Sequence, residues 1–126
     1  MNKRPVTIKL LDAVTATTTS DVFSLEGACR ATFQLTRANH SAGSSAFALE
    51  VSIDGTNWVT YNKLISNVTN TNAQTLTRVA SVTLSSNTSS VISMDLQHDY
   101  YKYARMTVTE TTDGTHSATA YIEYAN

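Results

Sequence analysis

The chain consists of short segments in which apolar and polar residues alternate, and Thr, Ser and Asn residues separate these segments. In segment 31–36, for example, Ala, Phe and Leu alternate with Thr, Gln and Thr. A period of two places successive side chains on opposite faces of a strand and buries one of them. Eight or nine such segments, with none of helical periodicity, predict an all-β protein. We expect a single antiparallel β-sandwich or a jelly-roll-like domain.

Size and charge restrict the organisation and the partners of the chain. Its 126 residues fit one domain of roughly 100–150 residues, so we expect an arm over residues 1–5 and one domain over residues 6–126. Charged residues make up 15% of the chain, against about 25% in typical domains. Nine basic residues face ten acidic ones, for a net charge of -1. This balance lacks the basic surface that nucleic-acid binding requires, so we expect no nucleic-acid partner.

Targeting signals and cysteine chemistry are also weak in this sequence. No segment approaches the ~20 apolar residues of a membrane-spanning helix. Pro5, Lys9 and Asp12 interrupt the apolar region that a signal peptide would need. We therefore expect a soluble protein that is made in the cytoplasm and has no membrane partner. Cys29 is the single cysteine, which excludes an internal disulfide, and we expect it to be a small buried side chain.

The clearest hairpin begins with a strand that ends near residue 53. Its apolar face carries Phe47, Leu49, Val51 and Ile53. The sequence Asp54-Gly55-Thr56-Asn57 is typical of a turn, and Trp58 to Leu64 forms the returning strand. Ile53 and Trp58 flank the turn, so we expect them to pack as a cross-strand pair. Trp58 is accordingly predicted to be a core residue rather than a platform for a ligand.

The last two strands are predicted to pair with each other around Asp113-Gly114. A two-residue loop would place Val108 opposite Thr119 and mix core and surface faces. A longer loop or a bulge shifts the register by one residue, so that Val108 lies opposite Ala120 and Met106 opposite Ile122. We predict the second register, because it keeps the apolar side chains of both strands on one face.

Two groups of residues are candidate interface contacts. In the predicted register, Arg105 lies opposite Glu123, and an aromatic and arginine stripe forms on the outer face from Tyr101, Tyr103, Arg105 and Tyr121. Tyr and Arg are over-represented at the centres of protein interfaces. An alternative is that the tyrosines only favour strand structure or lie inside a second sheet. The other group is the arm, where Lys3 and Arg4 form a local positive charge that can dock on an acidic neighbour.

The sequence contains no clear signature of catalysis or of metal binding. His40, His98 and His116 each lie in a predicted loop or turn, and the neighbouring acids Asp95 and Asp99 are typical of turns. The acids that glycoside cleavage would require are scattered, and no Gly-x-Ser-x-Gly sequence is present. The polar segment 67–74 is predicted to be a long surface loop. We therefore expect a protein that is not an enzyme and that uses no metal or other cofactor.

Two segments resemble small virion proteins of tailed bacteriophages. The hairpin from Val51 to Val59 is similar to the Ser-x-Asp-Gly-x-x-Trp hairpin of those proteins. The segment from Tyr100 to Val108, continued through Asp113-Gly114-Thr115 to Thr119-Ala120-Tyr121, is similar to their C-terminal sequence. The resemblance implies a β-sandwich accessory protein of the capsid decoration (cement) or head-fibre type. Proteins of these families are usually homo-oligomers on the lattice of the major capsid protein.

The working hypothesis from the sequence is a non-enzymatic virion structural protein. It would bind the outer surface of the major capsid protein lattice, on the capsid exterior, and stabilise the capsid as a homo-oligomer. We favour a trimer over a dimer, with the arm and the stripe as contacts. The alternative is a carbohydrate-binding or host-adhesion module on a phage fibre or tail. In that case aromatic residues such as Trp58 or Tyr61 would be exposed as stacking platforms.

Overall fold

The computed structural model describes residues 3–66, 77–96 and 100–124. Within these ranges the chain forms twelve strands and no helix. The strands are β1 (Val6–Val14), β2 (Thr18–Thr19), β3 (Phe23–Ser24), β4 (Ala28–Ala38), β5 (Gly43–Ser52), β6 (Val59–Thr60), β7 (Leu64–Ser66), β8 (Thr77–Val79), β9 (Val82–Leu84), β10 (Thr88–Ser93), β11 (Tyr103–Thr112) and β12 (Thr115–Tyr124). Since the described part contains no helix, it contains none long and apolar enough to cross a membrane.

Two antiparallel sheets form the domain. The first sheet has the order β1-β12-β4-β10-β7-β8. The second has the order β2-β11-β5-β6, with β3 also pairing with β11 and β9 with β5. This arrangement confirms the predicted all-β sandwich. The strand number exceeds the predicted eight or nine because β2, β3 and β6 are only two residues long.

The core follows from the period-two pattern of the long strands. Two central strands, one from each sheet, contribute side chains that are completely buried: Ala31, Phe33 and Leu35 from β4, and Phe47, Leu49 and Val51 from β5. The intervening residues of both strands are polar or small and point outward. Burial of each large apolar side chain contributes about 1.5–3 kcal/mol, so these central strands fix the relative position of the sheets.

The predicted pairing of the last two strands is wrong. β11 pairs with β5 along its whole length, from Tyr103 opposite Ser52 to Thr112 opposite Gly43. β12 pairs with β4 and β1 in the other sheet. The chain therefore crosses between sheets at 113–114 instead of turning back in one sheet. Alternation could not reveal this crossing, because both strands present an apolar inner face in either arrangement.

The predicted hairpin after β5 is confirmed only in part, because the returning strand β6 is Val59–Thr60 rather than Trp58 to Leu64 and its register differs. Val51 lies opposite Val59, so the paired strands end earlier than the sequence suggested. Ile53 lies beyond the end of β5 and is 67% exposed. Val51 points inward and lies opposite Val59. Trp58, the residue before Val59, therefore faces outward. The predicted contact of Ile53 with Trp58 in the core is therefore wrong.

Cys29 is exposed, which contradicts its prediction as a buried side chain. The reason is a break in the pairing of β4 with β12. Glu123 lies opposite Arg30 and Tyr124 opposite Ala28, so Cys29 has no partner residue in the register. This bulge removes Cys29 from the alternation that buries Ala31.

Candidate binding surfaces

The predicted aromatic stripe is divided between opposite faces of the molecule. Tyr103 and Arg105 lie on β11 and point outward from the second sheet. Tyr121 lies on β12, between Thr7 of β1 and Thr32 of β4, on the outer face of the first sheet. Because the sheets are stacked, these outer faces point in opposite directions. A single stripe is therefore wrong, although Tyr121 is 44% exposed as that prediction required.

The outer face of the second sheet carries a small aromatic and charged surface, which we call the Trp58 patch (Trp58, Tyr103, Arg105 and Glu50). Arg105 Nε donates a hydrogen bond of 2.8 Å to Glu50 Oε1, and the two residues are opposite each other in the β5–β11 register. The guanidinium carbon lies 4.3 Å from the centre of the Trp58 ring. Arg105 is thus held from two sides, and its partner is Glu50 rather than the predicted Glu123.

The turn beside this patch is held by one carboxylate. Asp54 accepts hydrogen bonds from the backbone N–H groups of Thr56 and Asn57, both at 2.8 Å, and from the Ser52 hydroxyl at 2.9 Å. The Asn57 and Thr56 hydrogen bonds are the main reason that the pKa of Asp54 lies well below its ordinary range. Both carboxylate oxygens take part in the turn, since Asn57 Nδ2 donates to the second one. Asp54 is therefore a turn residue, as the sequence Asp54-Gly55-Thr56-Asn57 indicates.

Tyr101 belongs to the end of the sandwich rather than to the Trp58 patch. Its ring meets the Tyr61 ring edge to face, with 5.8 Å between the ring centres and 82° between the planes. Tyr61 is 2% exposed, and its hydroxyl accepts a hydrogen bond from the Asp95 backbone N–H. Tyr61 is consequently a core residue, and it is not available as a platform for sugar stacking.

The arm residues lie at the same end of the sandwich as Tyr101. Lys3 and Arg4 are both exposed, and Lys3 Nζ lies 4.1 Å from the centre of the Tyr124 ring. The Tyr124 ring in turn lies close to Gly27, since a Cβ added there would be 3.9 Å from Tyr124 Cδ1. A cation–π contact of this kind contributes about 0.5–1 kcal/mol at an exposed site. Lys3 therefore lies beside the β3–β4 turn.

A cleft of about 870 Å³ opens at this end, between the β3–β4 turn and the segment before β11. Its lining includes Leu25, Cys29, Arg30, Ile53, Tyr100 and Lys102. Tyr100 is 81% exposed. The sequence pattern does not reveal this cleft, although two apolar residues beside strand ends, Ile53 and Tyr100, are a signal for it.

The opposite end of the sandwich is closed by a buried polar group, which we call the Arg37 cluster (Arg37, Ser45, Glu110, Asp113 and His116). Arg37 is 1% exposed. Its Nη1 donates to Ser45 Oγ at 2.9 Å and to the Asp113 carbonyl at 2.6 Å. Its Nη2 donates to the Ala42 carbonyl at 2.9 Å, and its Nε to His40 Nδ1 at 3.0 Å.

Within the cluster, a serine, a histidine and a glutamate contact one another in a row. Ser45 Oγ lies 2.5 Å from His116 Nδ1, and His116 Nε2 lies 3.2 Å from Glu110 Oε1. Ser45 and His116 are both completely buried, so no substrate can reach the hydroxyl. These contacts link the three side chains into one hydrogen-bonded chain. It ties β5 and β11 of the second sheet to β12 of the first, and His116 lies in a strand rather than in the predicted turn.

Within the described ranges, no group of three or more His, Cys, Asp or Glu residues is placed to hold a metal ion. Asp95 instead forms an ion pair with Arg78, with 3.2 Å between the carboxylate oxygen and Nη2. The other members of the acidic and histidine group considered in the sequence, His98 and Asp99, lie outside the described residues. So does the segment 67–74, which was predicted to be a surface loop.

Comparison with known proteins identifies the fold but no family. No protein-family model matches the chain, and no curated protein matches its sequence. Among solved structures, the chain is similar to the crystal structure of the SPBc2 prophage-derived protein YomS, with a TM-score of 0.64 and 12% sequence identity. The likeness covers 94% of this chain and 93% of that one. The two proteins therefore share a fold.

Proposed function

We propose that this protein is a non-enzymatic structural protein of a tailed-phage virion, and that it decorates the outer surface of the major capsid protein lattice as a homo-oligomer. The fold shared with a prophage-derived protein supports a phage origin. The observation that carries the proposal is the Trp58 patch. It is an aromatic and arginine surface on the outer face of a sheet, where it contributes little to the core.

The geometry of the patch is suited to binding another protein. Trp, Tyr and Arg are the residue types most enriched among interface residues of high energetic importance. Arg105 is held by Glu50 and by the Trp58 ring before any partner arrives. Such pre-organisation reduces the entropy that binding would otherwise cost. A stable interface buries about 1,200–2,000 Å², so the arm, with Lys3 and Arg4, would add contact area.

Decoration also fits the repetition of a capsid lattice. Each copy of an oligomer engages one site, and the linked copies bind far more tightly than a single copy does. A trimer would match the threefold positions of such a lattice, and it is the oligomer that we propose. The alternative of a carbohydrate-binding module loses one of the two platforms named for it, because Tyr61 is buried, and Arg105 covers one face of the other, Trp58.

The proposal is tested by sedimentation with capsids of the major capsid protein encoded in the same genome. We expect the wild-type protein to pellet with these capsids and to saturate them. Arg105→Gln keeps a polar side chain but shortens it and removes its charge, and should weaken attachment. Tyr121→Ser, on the opposite face, is the matched control and should bind normally. Light scattering on the same preparations measures the oligomer.

Three results would count against the proposal. If the wild-type protein fails to pellet with the capsids, the decoration function is wrong. If Tyr121→Ser loses attachment while Arg105→Gln keeps it, the binding face is the first sheet rather than the Trp58 patch. If the protein is a monomer both in solution and on the capsid, the homo-oligomer is wrong.

A further inference from the structure

The cleft at the arm end has walls that backbone hydrogen bonds hold in place. The Leu25 N–H donates to the Lys102 carbonyl at 2.8 Å, and the Lys102 N–H donates to the Ser52 carbonyl at 3.1 Å. The Ala28 N–H closes the β3–β4 turn on the Leu25 carbonyl at 3.1 Å. The cleft is therefore formed before a ligand enters, so little ordering free energy is lost on binding.

The floor of the cleft is apolar and its rim exposes two large side chains. Leu25 and Leu96 are 4% and 6% exposed and belong to the core. Ile53 and Tyr100 on the rim are 67% and 81% exposed. A single exposed apolar residue is ordinary on a protein surface. Two of them around an apolar cavity of this volume are typical of a binding site.

The charges on the rim favour an acidic ligand. Arg30 is exposed and lines the cleft, and the described residues give it no ion pair, even though Glu123 lies opposite it in the register. Lys102 Nζ lies 3.6 Å from Glu26 Oε1, with both side chains more than half exposed, so this contact is weak and easily exchanged. A guanidinium without a partner binds carboxylates through two parallel hydrogen bonds.

Two other occupants fit less well. The arm of a second copy would bring Lys3 and Arg4 toward Arg30 and Lys102, and like charges repel. A sugar would stack on Tyr100, but sugar sites also require neutral polar donors and acceptors, and the described lining includes no Asn or Gln side chain. A ligand with a carboxylate next to an apolar side chain would pair with the positive charges on the rim and bury the apolar side chain on the floor of the cleft.

We propose that this cleft binds an extended peptide segment of a partner protein, in which an apolar side chain is flanked by acidic residues. The apolar side chain lies between Ile53 and Tyr100, above Leu25. One carboxylate pairs with Arg30, and a second replaces Glu26 as the ion-pair partner of Lys102. The proposal does not require the capsid function. The two are tested separately, because the Trp58 patch is not part of the cleft.

The test is an amide chemical-shift titration of the full-length protein with three short peptides. Each peptide has a central Leu-Phe pair, which is flanked by Glu in the first, by Gln in the second and by Lys in the third. We expect the Glu peptide to shift the amide resonances of Cys29, Arg30 and Lys102. The Gln peptide should bind about tenfold more weakly, because it lacks the charge-assisted contacts. The Lys peptide should not shift these resonances.

Variants then assign the contacts. Arg30→Glu should reduce affinity for the Glu peptide at least about tenfold, and Tyr100→Ser should reduce it several-fold. Both positions are exposed, so circular dichroism should show an unchanged fold. Lys9→Glu and Tyr121→Ser make the same changes of charge and size on the first sheet, and should bind like the wild type. Equal binding of the Glu and Lys peptides, absence of shifts, or cleft shifts only with soluble oligosaccharides would each overturn the proposal.

Discussion

Arg37 offers the sharpest test of how the two sheets are held together. Arg37→Met keeps the apolar stem of the side chain and removes the guanidinium. The Ala42 and Asp113 carbonyls and His40 Nδ1 then lose their donors, and Asp113 loses its ion pair at 3.4 Å. Each buried group that is left unsatisfied costs about 1–3 kcal/mol.

The expected loss of unfolding free energy is about 3–5 kcal/mol, because three acceptors lose their donor at the lower end of that cost. A domain of this size typically has only about 5–15 kcal/mol in total. At about 3–5 °C per kcal/mol, the midpoint of thermal unfolding should fall by roughly 10–25 °C. Some of these carbonyls are only partly buried, so water can reduce the cost toward the lower value.

Arg105→Met is the matched control, because it removes the same group from a surface site. Arg105 and Glu50 have side-chain exposures of 29% and 27%, and their pair with the Trp58 contact should contribute about 1 kcal/mol. Urea unfolding, followed by circular dichroism, measures both variants. A shift of the midpoint at constant slope reports stability alone. If Arg37→Met loses no more than Arg105→Met, the Arg37 cluster does not hold the sheets together.

Two further predictions concern the same end of the sandwich. Gly114 has φ of 121°, and a Cβ there would lie 2.3 Å from Arg37 Nη1. Gly114→Ala should therefore lower the unfolding free energy, measured in urea, by about 2–4 kcal/mol. In an Arg37→Met background the loss should be about half of that, because only the backbone strain remains. The pKa of Asp113 is lowered from 3.8, first by the Ser41 hydroxyl and then by the backbone N–H of Ser41, while the N–H of Ala42 and the charge of Arg37 add to this. Because its pKa is lower in the folded state, ionised Asp113 stabilises the fold above pH 3.8, and this contribution disappears as the pH falls further. Between about pH 5 and about pH 3, the thermal unfolding midpoint of Asp113→Asn should change less with pH than that of the exposed control Asp12→Asn. An equal change with pH in the two variants would show that Asp113 has no such role.

The sequence predicts the inner faces of the long strands well, and their partners poorly. Val108 and Ala120 are both buried as expected, because alternation depends only on local residues. Their pairing depends on where the chain crosses between sheets. That crossing requires Gly114 to lie against a buried arginine that is distant in sequence. Nothing in the residues around the turn distinguishes a hairpin from such a crossing.

The candidate surfaces were predicted only in part for a related reason. Arg105 was assigned to the outer face correctly, but Trp58 was assigned to the core. The error came from extending β5 to Ile53, whereas the strand ends at Ser52, whose hydroxyl takes part in the Asp54 turn. With Val51 opposite Val59, the alternation itself would have placed Trp58 outside. A single error in the predicted register therefore placed Trp58 and Arg105 on opposite faces of the sheet.

The two ends of the sandwich have different physical roles. At one end the Arg37 cluster joins the sheets, and every buried polar side-chain atom in the described residues has a hydrogen-bond partner. At the other end an open cleft lies above Leu25 and Leu96. An apolar cleft costs stability, because it leaves core side chains without packing partners on one side. A closed polar end can compensate for that cost, so stability would depend on one end while the other stays available for binding.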